Sequence, residues 1–384
     1  MNFELDEEQE ILVESVRRMS ADTLQPILDR HDKDKPLPKS AMLEIYEHLA
    51  GFGIAAARLP EELGGSGLSM LSYGLVMEQL PPAIALSLLS HDGSMTRFSA
   101  GANATLRDHY LPDFIAGRKI ICTANSEPNA GSDSNAVSTR LEIEGDRAFI
   151  TGTKMWITNA SICDCMVVSC STGKDEQGRP IPQRVFVDLA KARVGLHETA
   201  LAGLKQGHLC EVVFDRTEVP LDHLIGEPGD AGKYMTIVWN ANRPLIGLMT
   251  LAIARRAFDV AMQHAMDRRQ FGAPLAARQL IQQELSDMEA ALVSARLTCL
   301  MALANLDSGR RGNGVSAMAK RLATQAAVDV INKAMHICGG MGITEELGLA
   351  QLWQDARVFQ VPDGTQGILA LIHGRELTGI SAWR

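Results

Sequence analysis

The residues best suited to chemistry lie in the run Asn125-Ser126-Glu127-Pro128-Asn129-Ala130-Gly131-Ser132-Asp133. It follows a short apolar, strand-like stretch, Lys119-Ile120-Ile121-Cys122-Thr123. Glu127-Pro128 forces a non-helical corner, because proline disfavours helical backbone in its predecessor. Ala130-Gly131-Ser132 then offers small residues whose N–H groups can converge on an anion, with a hydroxyl alongside. Such a cradle suits a pyrophosphate or a carbonyl-rich ring; a polar turn between strands is the other reading these residues allow. A second loop, Pro60-Glu61-Glu62-Leu63-Gly64-Gly65-Ser66-Gly67, is glycine-rich but lacks the Lys-Ser/Thr that a phosphate loop needs.

Asn125 to Asp133 resembles the first signature of the acyl-CoA dehydrogenase family, a Thr/Ser-Glu-Pro-x-Ala-Gly-Ser-Asp run. Four further stretches resemble that family in order. They are Gly152-Thr153-Lys154-Met155-Trp156-Ile157-Thr158-Asn159, Asp267-Arg268-Arg269-Gln270-Phe271-Gly272, Gly339-Gly340-Met341-Gly342 and Asp363-Gly364-Thr365. Each alone is a weak signal; five in sequence over nearly the whole chain are a strong one. The loop at Pro60 is also similar to the family's Pro-x-x-x-Gly-Gly loop.

The resemblance implies an FAD enzyme that removes the α proton of an acyl-CoA thioester with a carboxylate while the β hydrogen passes to the flavin. The α C–H is a feeble acid, so the base must be close and the enolate stabilised. The family's Glu-Gly-Thr reads Asp363-Gly364-Thr365 here. Asp363 is therefore the candidate base, Gly364 a substrate contact, and Thr365 and Gly367 contacts of the cofactor. Asp is shorter than Glu by one methylene, roughly 1.5 Å of reach. Misplacement on that scale costs on the order of a hundredfold in rate unless the substrate shifts to meet it. A cyclic, branched or polar acyl group, or a different reaction, would account for the change. Asp-Gly also commonly caps a turn.

For the flavin, the resemblance points to Thr123, Asn125, Ser126, Gly131 and Ser132, with Trp156 against the ring and Thr158 at its reactive edge. Arg268, Gln270, Phe271 and Gln279 resemble the contacts that one subunit lends to its neighbour's FAD. An Arg fork suits a diphosphate. His336, Gly339 and Gly340 would lie along the ADP half, although His336 stands where a Gln is common. Ser132, Asn240, Arg243 and Arg375 are carried over as substrate or CoA contacts. Some relatives place the base on the first bundle helix. That position looks like Asn242, which cannot serve. Arg97, in Ser90-His91-Asp92-Gly93-Ser94-Met95-Thr96-Arg97, is more polar than a simple fatty chain needs. It could meet a polar acyl substituent, snorkel to solvent or pair within the helical domain.

The elements that must position these residues fall into three textures. Residues 1–118 read as an N-terminal α-helical domain, with apolar residues at helical spacing (Ile11, Leu12, Val16, Met19) behind an Asp6 cap. Residues 119–228 alternate in short runs punctuated by Gly, Asp, Asn and Pro, which predicts a β-barrel or β-sandwich domain. Residues 229–384 carry long Ala-, Leu- and Met-rich stretches, Trp239–Asp267, Ala276–Ser308 and Gly314–Cys338. With a fourth helix near Ile368–Leu377 they predict a four-helix bundle. This order agrees with the fold that the resemblance implies.

A chain of 384 residues with 46% hydrophobic and 22% charged residues can bury a large core. A net charge of -9 and 5% aromatics argue against nucleic-acid binding. The seven Cys show no Cys-x-x-Cys spacing and read as reduced, buried thiols in an intracellular setting. The opening Met1-Asn2-Phe3-Glu4-Leu5-Asp6 carries no secretory signal, no metal set is apparent, and no uninterrupted apolar run suggests a membrane span. A cytoplasmic enzyme is expected. The resemblance adds an electron-transferring flavoprotein as partner and a homo-oligomer, usually a tetramer. Two alternatives share the fold: a CoA-linked flavin reductase or lyase, and a nitroalkane-oxidase-like flavoprotein. A non-enzymatic or DNA-associated relative is disfavoured by the acidic balance.

Overall fold

The computed structural model describes residues 4–134, 136–310 and 312–382. Arg311, in the break expected between two bundle helices, lies outside them, as do Met1, Asn2 and Phe3 at the chain start. The first part is helical: α1 (Glu7–Met19), α2 (Gln25–Asp29), α3 (Lys39–Gly51), α4 (Met70–Met77), α5 (Pro82–Ser99) and α6 (Ala104–Ile115). Asp6 starts α1 with a reciprocal cap: Gln9 N donates to its Oδ1 at 2.8 Å and Asp6 N donates to Gln9 Oε1 at 3.2 Å. Helix α5 matters most for the site. Proline at its first position is preset for helix. The helix then runs unbroken through both the apolar stretch and the polar one that follows it, burying His91, Asp92, Ser94 and Arg97.

The strands β1 (Ile121–Ala124), β2 (Arg140–Glu144), β3 (Arg147–Thr158), β4 (Cys165–Lys174), β5 (Pro180–Asp188), β6 (Gly195–Glu198), β7 (Leu209–Pro220) and β8 (Leu224–Ile225) join in one mixed sheet. Its order is β6-β7-β3-β2-β4-β5-β8, with β1 parallel to β4. Arg147–Thr158 forms one long strand, β3, without a break at its glycine. Gly152 is not a turn. Its missing Cβ would lie 2.7 Å from Thr139 Cα, so glycine here admits a neighbouring backbone. The register against β7 shifts between Ile150 and Gly152 and again between Lys154 and Ile157. The second irregularity brackets Trp156.

The last part holds α7 (Ala231–Asp267), the short strands β9 (Arg269–Gln270) and β10 (Ala273–Pro274), then α8 (Gln279–Asp307), α9 (Asn313–Cys338), α10 (Leu349–Phe359) and α11 (Gln366–Thr378). Helices α7, α8, α9 and α11 are the expected bundle. At Gly247 of α7, a Cβ would lie 2.6 Å from Cys299 Sγ of α8, so the missing side chain sets how closely those helices approach. The sequence reading omits α10. It buries Leu349, Leu352, Ala356 and Phe359, an amphipathic stripe, and it delivers the chain to Asp363. Helix α8 is long and apolar enough by composition to span a bilayer, although Asp287, Glu289 and Arg296 interrupt its apolar run. It nevertheless packs Leu285, Met288, Leu292, Ala295, Cys299 and Leu303 into the protein interior. All seven cysteines are buried and unbridged.

Candidate active site

Two of the sequence motifs are fastened to each other by one buried ion pair. Lys154 Nζ, on β3, donates to Glu127 Oε1 at 2.7 Å and to the Asn125 carbonyl at 3.0 Å. Glu127 also accepts from Ser138 N at 2.8 Å, from Thr139 N at 3.0 Å and from the Ser138 hydroxyl. Burial alone would push the Glu127 carboxyl up. The Lys154 charge and these bonds outweigh it and hold the carboxyl down to about 2. Glu127 and Ala130 exchange backbone bonds at 3.0 and 3.2 Å, and Met155 N donates to Ser126 O at 2.8 Å. The run from Asn125 is thus a rigid loop laid along β3. Gly131 and Ser132 are exposed at its tip, and Gly131 has open space where a side chain would stand.

Trp156 projects from the β3 irregularity with φ 62° and 54% of its surface exposed. It is not a core aromatic. Left-handed backbone at a bulky residue is costly and persists only where the surroundings impose it. Thr123 Oγ1, on β1, is 2.8 Å from Ser94 Oγ of α5, and Ser90 Oγ donates to the Thr158 carbonyl at 3.5 Å. Helix α5 therefore backs β1 and β3 together.

Asp363 lies between α10 and α11 with φ 54°, followed by Gly364 at φ 111°. The loop is gripped from two helices. Lys320 Nζ of α9 donates to the carbonyls of Pro362, of Gly364 at 2.6 Å and of Gln360 at 3.5 Å. Arg243 Nε of α7 donates to the Asp363 carbonyl at 3.1 Å, and its Nη1 to Asn313 Oδ1 at 2.9 Å. Burial pulls the Lys320 ammonium down to about 7, against the attraction of Asp363. Among the described residues, no hydrogen bond or ion pair reaches the Asp363 carboxylate itself. It does not cap α11. Arg243, carried over as a CoA or flavin contact, is 4% exposed and commits two nitrogens inside the protein. Lys320 was missed; its only sequence signal is a lone lysine on the small-residue face of α9.

Beside this loop stands a second buried network. Asp92 of α5 is fully buried and paired with Arg58 Nε; Arg58 Nη1 donates to Asn242 Oδ1 at 2.9 Å. Asn242 serves there as an acceptor. Arg97 is 7% exposed and does not snorkel to solvent. Its charge interacts with Asp363, as do those of Arg58, Arg243 and Lys320. The structure therefore brings Arg97, Arg243, Arg58 and Lys320 within electrostatic range of Asp363.

The remaining candidates lie at the surface or elsewhere on the helices. Arg268, Gln270 and Phe271 form the β9–β10 hairpin, with Phe271 95% exposed at φ 53° and Gln279 exposed at the start of α8. Arg278, not anticipated, holds this tip: its Nη2 donates to the Gln270 and Phe271 carbonyls at 2.7 and 3.0 Å. Among the described residues no hydrogen bond joins the hairpin to the Asp363 loop. His336, Gly339 and Gly340 are exposed at the end of α9, both glycines with open space where a Cβ would be. Thr365 and Gly367 are exposed at the start of α11, and Arg375 near its end. Asn240 Oδ1, on α7, is buried without a hydrogen-bond partner.

Comparisons with known proteins agree along the whole chain. Family models described as "Acyl-CoA dehydrogenase, N-terminal domain", "middle domain" and "C-terminal domain" match residues 6–118, 122–217 and 233–378. The chain is 33% identical over 379 residues to the short-chain specific acyl-CoA dehydrogenase, mitochondrial, of Homo sapiens, covering 97% of this chain and 90% of that one. It is 30% identical to the cyclohex-1-ene-1-carbonyl-CoA dehydrogenase of Syntrophus aciditrophicus, covering 97% and 91%. Butyryl-CoA dehydrogenase from Megasphaera elsdenii superposes with a TM-score of 0.90 at 26% identity, covering 98% of this chain and all of the other.

Proposed function

The chain belongs to the acyl-CoA dehydrogenase family, and we propose that it desaturates a short or cyclic acyl-CoA thioester with FAD, using Asp363 as the base. Asp363 carries this reading. Its carboxylate has no hydrogen-bonding or ion-paired partner among the described residues, on a left-handed loop clamped by Lys320 and Arg243.

The residues fit a flavin dinucleotide. Trp156 offers an exposed indole beside the Asn125–Asp133 loop, and Gly131, Gly339 and Gly340 leave room for close backbone approach. Thr123, Asn125, Ser126, Ser132, Thr158, Thr365 and Gly367 would hold it, with Arg268, Gln270, Phe271, Gln279 and His336 at the far half. When bound, FAD supplies the acceptor for the β hydrogen and two electrons.

The chain's own part is proton transfer and charge. Asp363 takes the α proton on a carboxylate oxygen and becomes neutral, so its negative charge passes to the substrate. Arg58, Arg97, Arg243 and Lys320 already point their fields at that position and favour the enolate without reorganising. Lys320 and Arg243 fix the backbone from which the shortened side chain reaches. The unpartnered Asn240 Oδ1 supports a contact with the pantetheine amides, and exposed Arg375 one with the CoA phosphates.

The protein passes its electrons to an electron-transferring flavoprotein and works as a homotetramer in the cytoplasm, in domains meeting near residues 118 and 228. Exposed Leu280, Val293, Leu297 and Met301 on α8 support association through the bundle, and the Phe271 tip supports reach into a neighbour. Anaerobic mixing of the yellow protein with butyryl-CoA, cyclohexanecarbonyl-CoA or nitroethane tests the function. Bleaching of the flavin by a thioester is expected; bleaching by nitroethane alone would overturn it.

A further inference from the structure

Arg97 and Arg58 leave buried donors unused. Among the described residues no hydrogen bond reaches the Arg97 side chain, its Nε is wholly buried, and Asp363 acts on it only through its charge. Arg58 pairs through Nε and Nη1, but its Nη2 is buried and unsatisfied. Arg97 is on α5, and Arg58, from the connection after α3, packs against the same helix at Asp92 and Gly93. Gly93 is one turn before Arg97, and a Cβ there would stand 3.1 Å from Arg58 Nη2, 3.3 Å from Val238 Cγ1 and 3.9 Å from Asn242 Nδ2. This side of α5 thus faces α7, and glycine at 93 lets Arg58 Nη2 and Val238 pack close against α5.

Charge does not balance here. Among the described residues, Asp92 and Asp363 are the carboxylates that act on Arg58, Arg97 and Arg243, so one positive charge is in excess even with Lys320 neutral and before Arg184 is counted. Burial lowers Arg97 only to about 10, so it stays charged at neutral pH. A buried guanidinium nitrogen with no hydrogen-bonding partner is expensive unless something else pairs with it. The thioester and the CoA phosphates do not supply that partner at the acyl end. A carboxylate at the far end of the acyl group does, because its two oxygens match guanidinium donors.

We propose that Arg97, assisted by Arg58, forms an anion subsite in the acyl pocket, and that the substrate is the CoA thioester of a dicarboxylic acid. This rests on the dehydrogenase reading and narrows its substrate class. Glycine at position 93 admits Arg58 close to α5, and the Asp92–Arg58 pair orients that guanidinium.

The test is anaerobic stopped-flow reduction of the holoenzyme, giving Kd and the limiting rate for matched thioesters. Succinyl-, glutaryl- and adipyl-CoA are each compared with butyryl-, pentanoyl- and hexanoyl-CoA. In at least one pair the dicarboxylyl member should bind about ten- to a hundredfold tighter, the worth of a charged hydrogen bond. Arg97→Met should erase that ratio and Arg97→Lys should restore part of it. Equal binding within every wild-type pair would overturn the subsite, whether or not the Arg97 variants fold. So would an Arg97→Met protein that keeps the ratio. Bleaching by the monocarboxylyl series alone would overturn the subsite and leave the dehydrogenase standing. No perturbation of the flavin by any thioester would overturn both.

Discussion

Arg243 Nε lies 3.1 Å from the carbonyl oxygen of Asp363, while no hydrogen bond or ion pair among the described residues reaches that residue's carboxylate. The protein holds the base by its backbone and leaves its acid group for the substrate. Lys320 completes the grip through three carbonyls of the same loop. Lys320→Met should therefore lower the limiting rate of flavin reduction by about a hundredfold, the effect of a displacement near 1 Å. FAD content should be retained, since no flavin contact is removed. An unchanged rate would show that the grip does not position the base.

The Lys154–Glu127 pair gives a stability prediction. Lys154→Met leaves a buried carboxylate without its charge partner and should cost about 3–5 kcal/mol in chemical denaturation. Adding Glu127→Gln should recover part of that loss, because the remaining group is neutral. A loss from Lys154→Met below about 1 kcal/mol would indicate a solvated pair with little influence on the fold.

Acid should destabilise the protein in two stages. Burial lowers His91 to about 4; its Nδ1 accepts from Ile121 N at 3.2 Å, so Nε2–H donates to the Phe114 carbonyl at 3.1 Å. The folded state thus prefers neutral His91, whereas the unfolded chain takes up a proton near 6.5. That contribution is complete above the unfolded value and is lost as pH falls from there toward 4. Glu127, held down to about 2, adds a second loss as pH falls below the ordinary carboxylate range. Denaturation midpoints from pH 7.5 to 3 should fall from near 6.5, and His91→Gln should remove the upper stage.

How much of this could be read from sequence depended on how far apart the partners lie. The Asp6 cap is legible because both halves of its bond sit within three residues. The Asp363 loop is legible because its residues are contiguous. Lys320, Arg58 and Asn242 are not: Arg58 meets Asn242 across 184 positions, and Lys320 meets Gly364 across 44. Helix α10 is legible in principle, since Leu349, Leu352, Ala356 and Phe359 carry its stripe. The reason for Gly152, the close approach of Thr139, is invisible without the fold.

Trp156 joins a strained backbone to an exposed ring, and the two can be separated. Trp156→Gly relieves the left-handed conformation while adding chain entropy, so the apoprotein should stay within about 1 kcal/mol of wild type. FAD affinity should fall at least about tenfold, since ring stacking is lost. Fluorescence titration of apoprotein with FAD measures this. Undiminished affinity would mean the indole does not meet the flavin.

Lengthening the base is informative because it restores reach. Asp363→Glu should keep measurable flavin reduction and shift preference toward straight-chain thioesters, in which the α carbon need not move toward the shorter acid. Comparing butyryl-CoA with cyclohexanecarbonyl-CoA in both proteins reads that shift. An unaltered preference would show that side-chain length does not set the acyl position.

The most direct measurement is anaerobic flavin bleaching by Asp363→Asn with the best wild-type thioester. The amide keeps the shape of the side chain but cannot take a proton, so FAD should remain bound and the rate should fall by about a thousandfold or more. An Asp363→Asn protein that bleaches at the wild-type rate would contradict the assignment of Asp363 as the base.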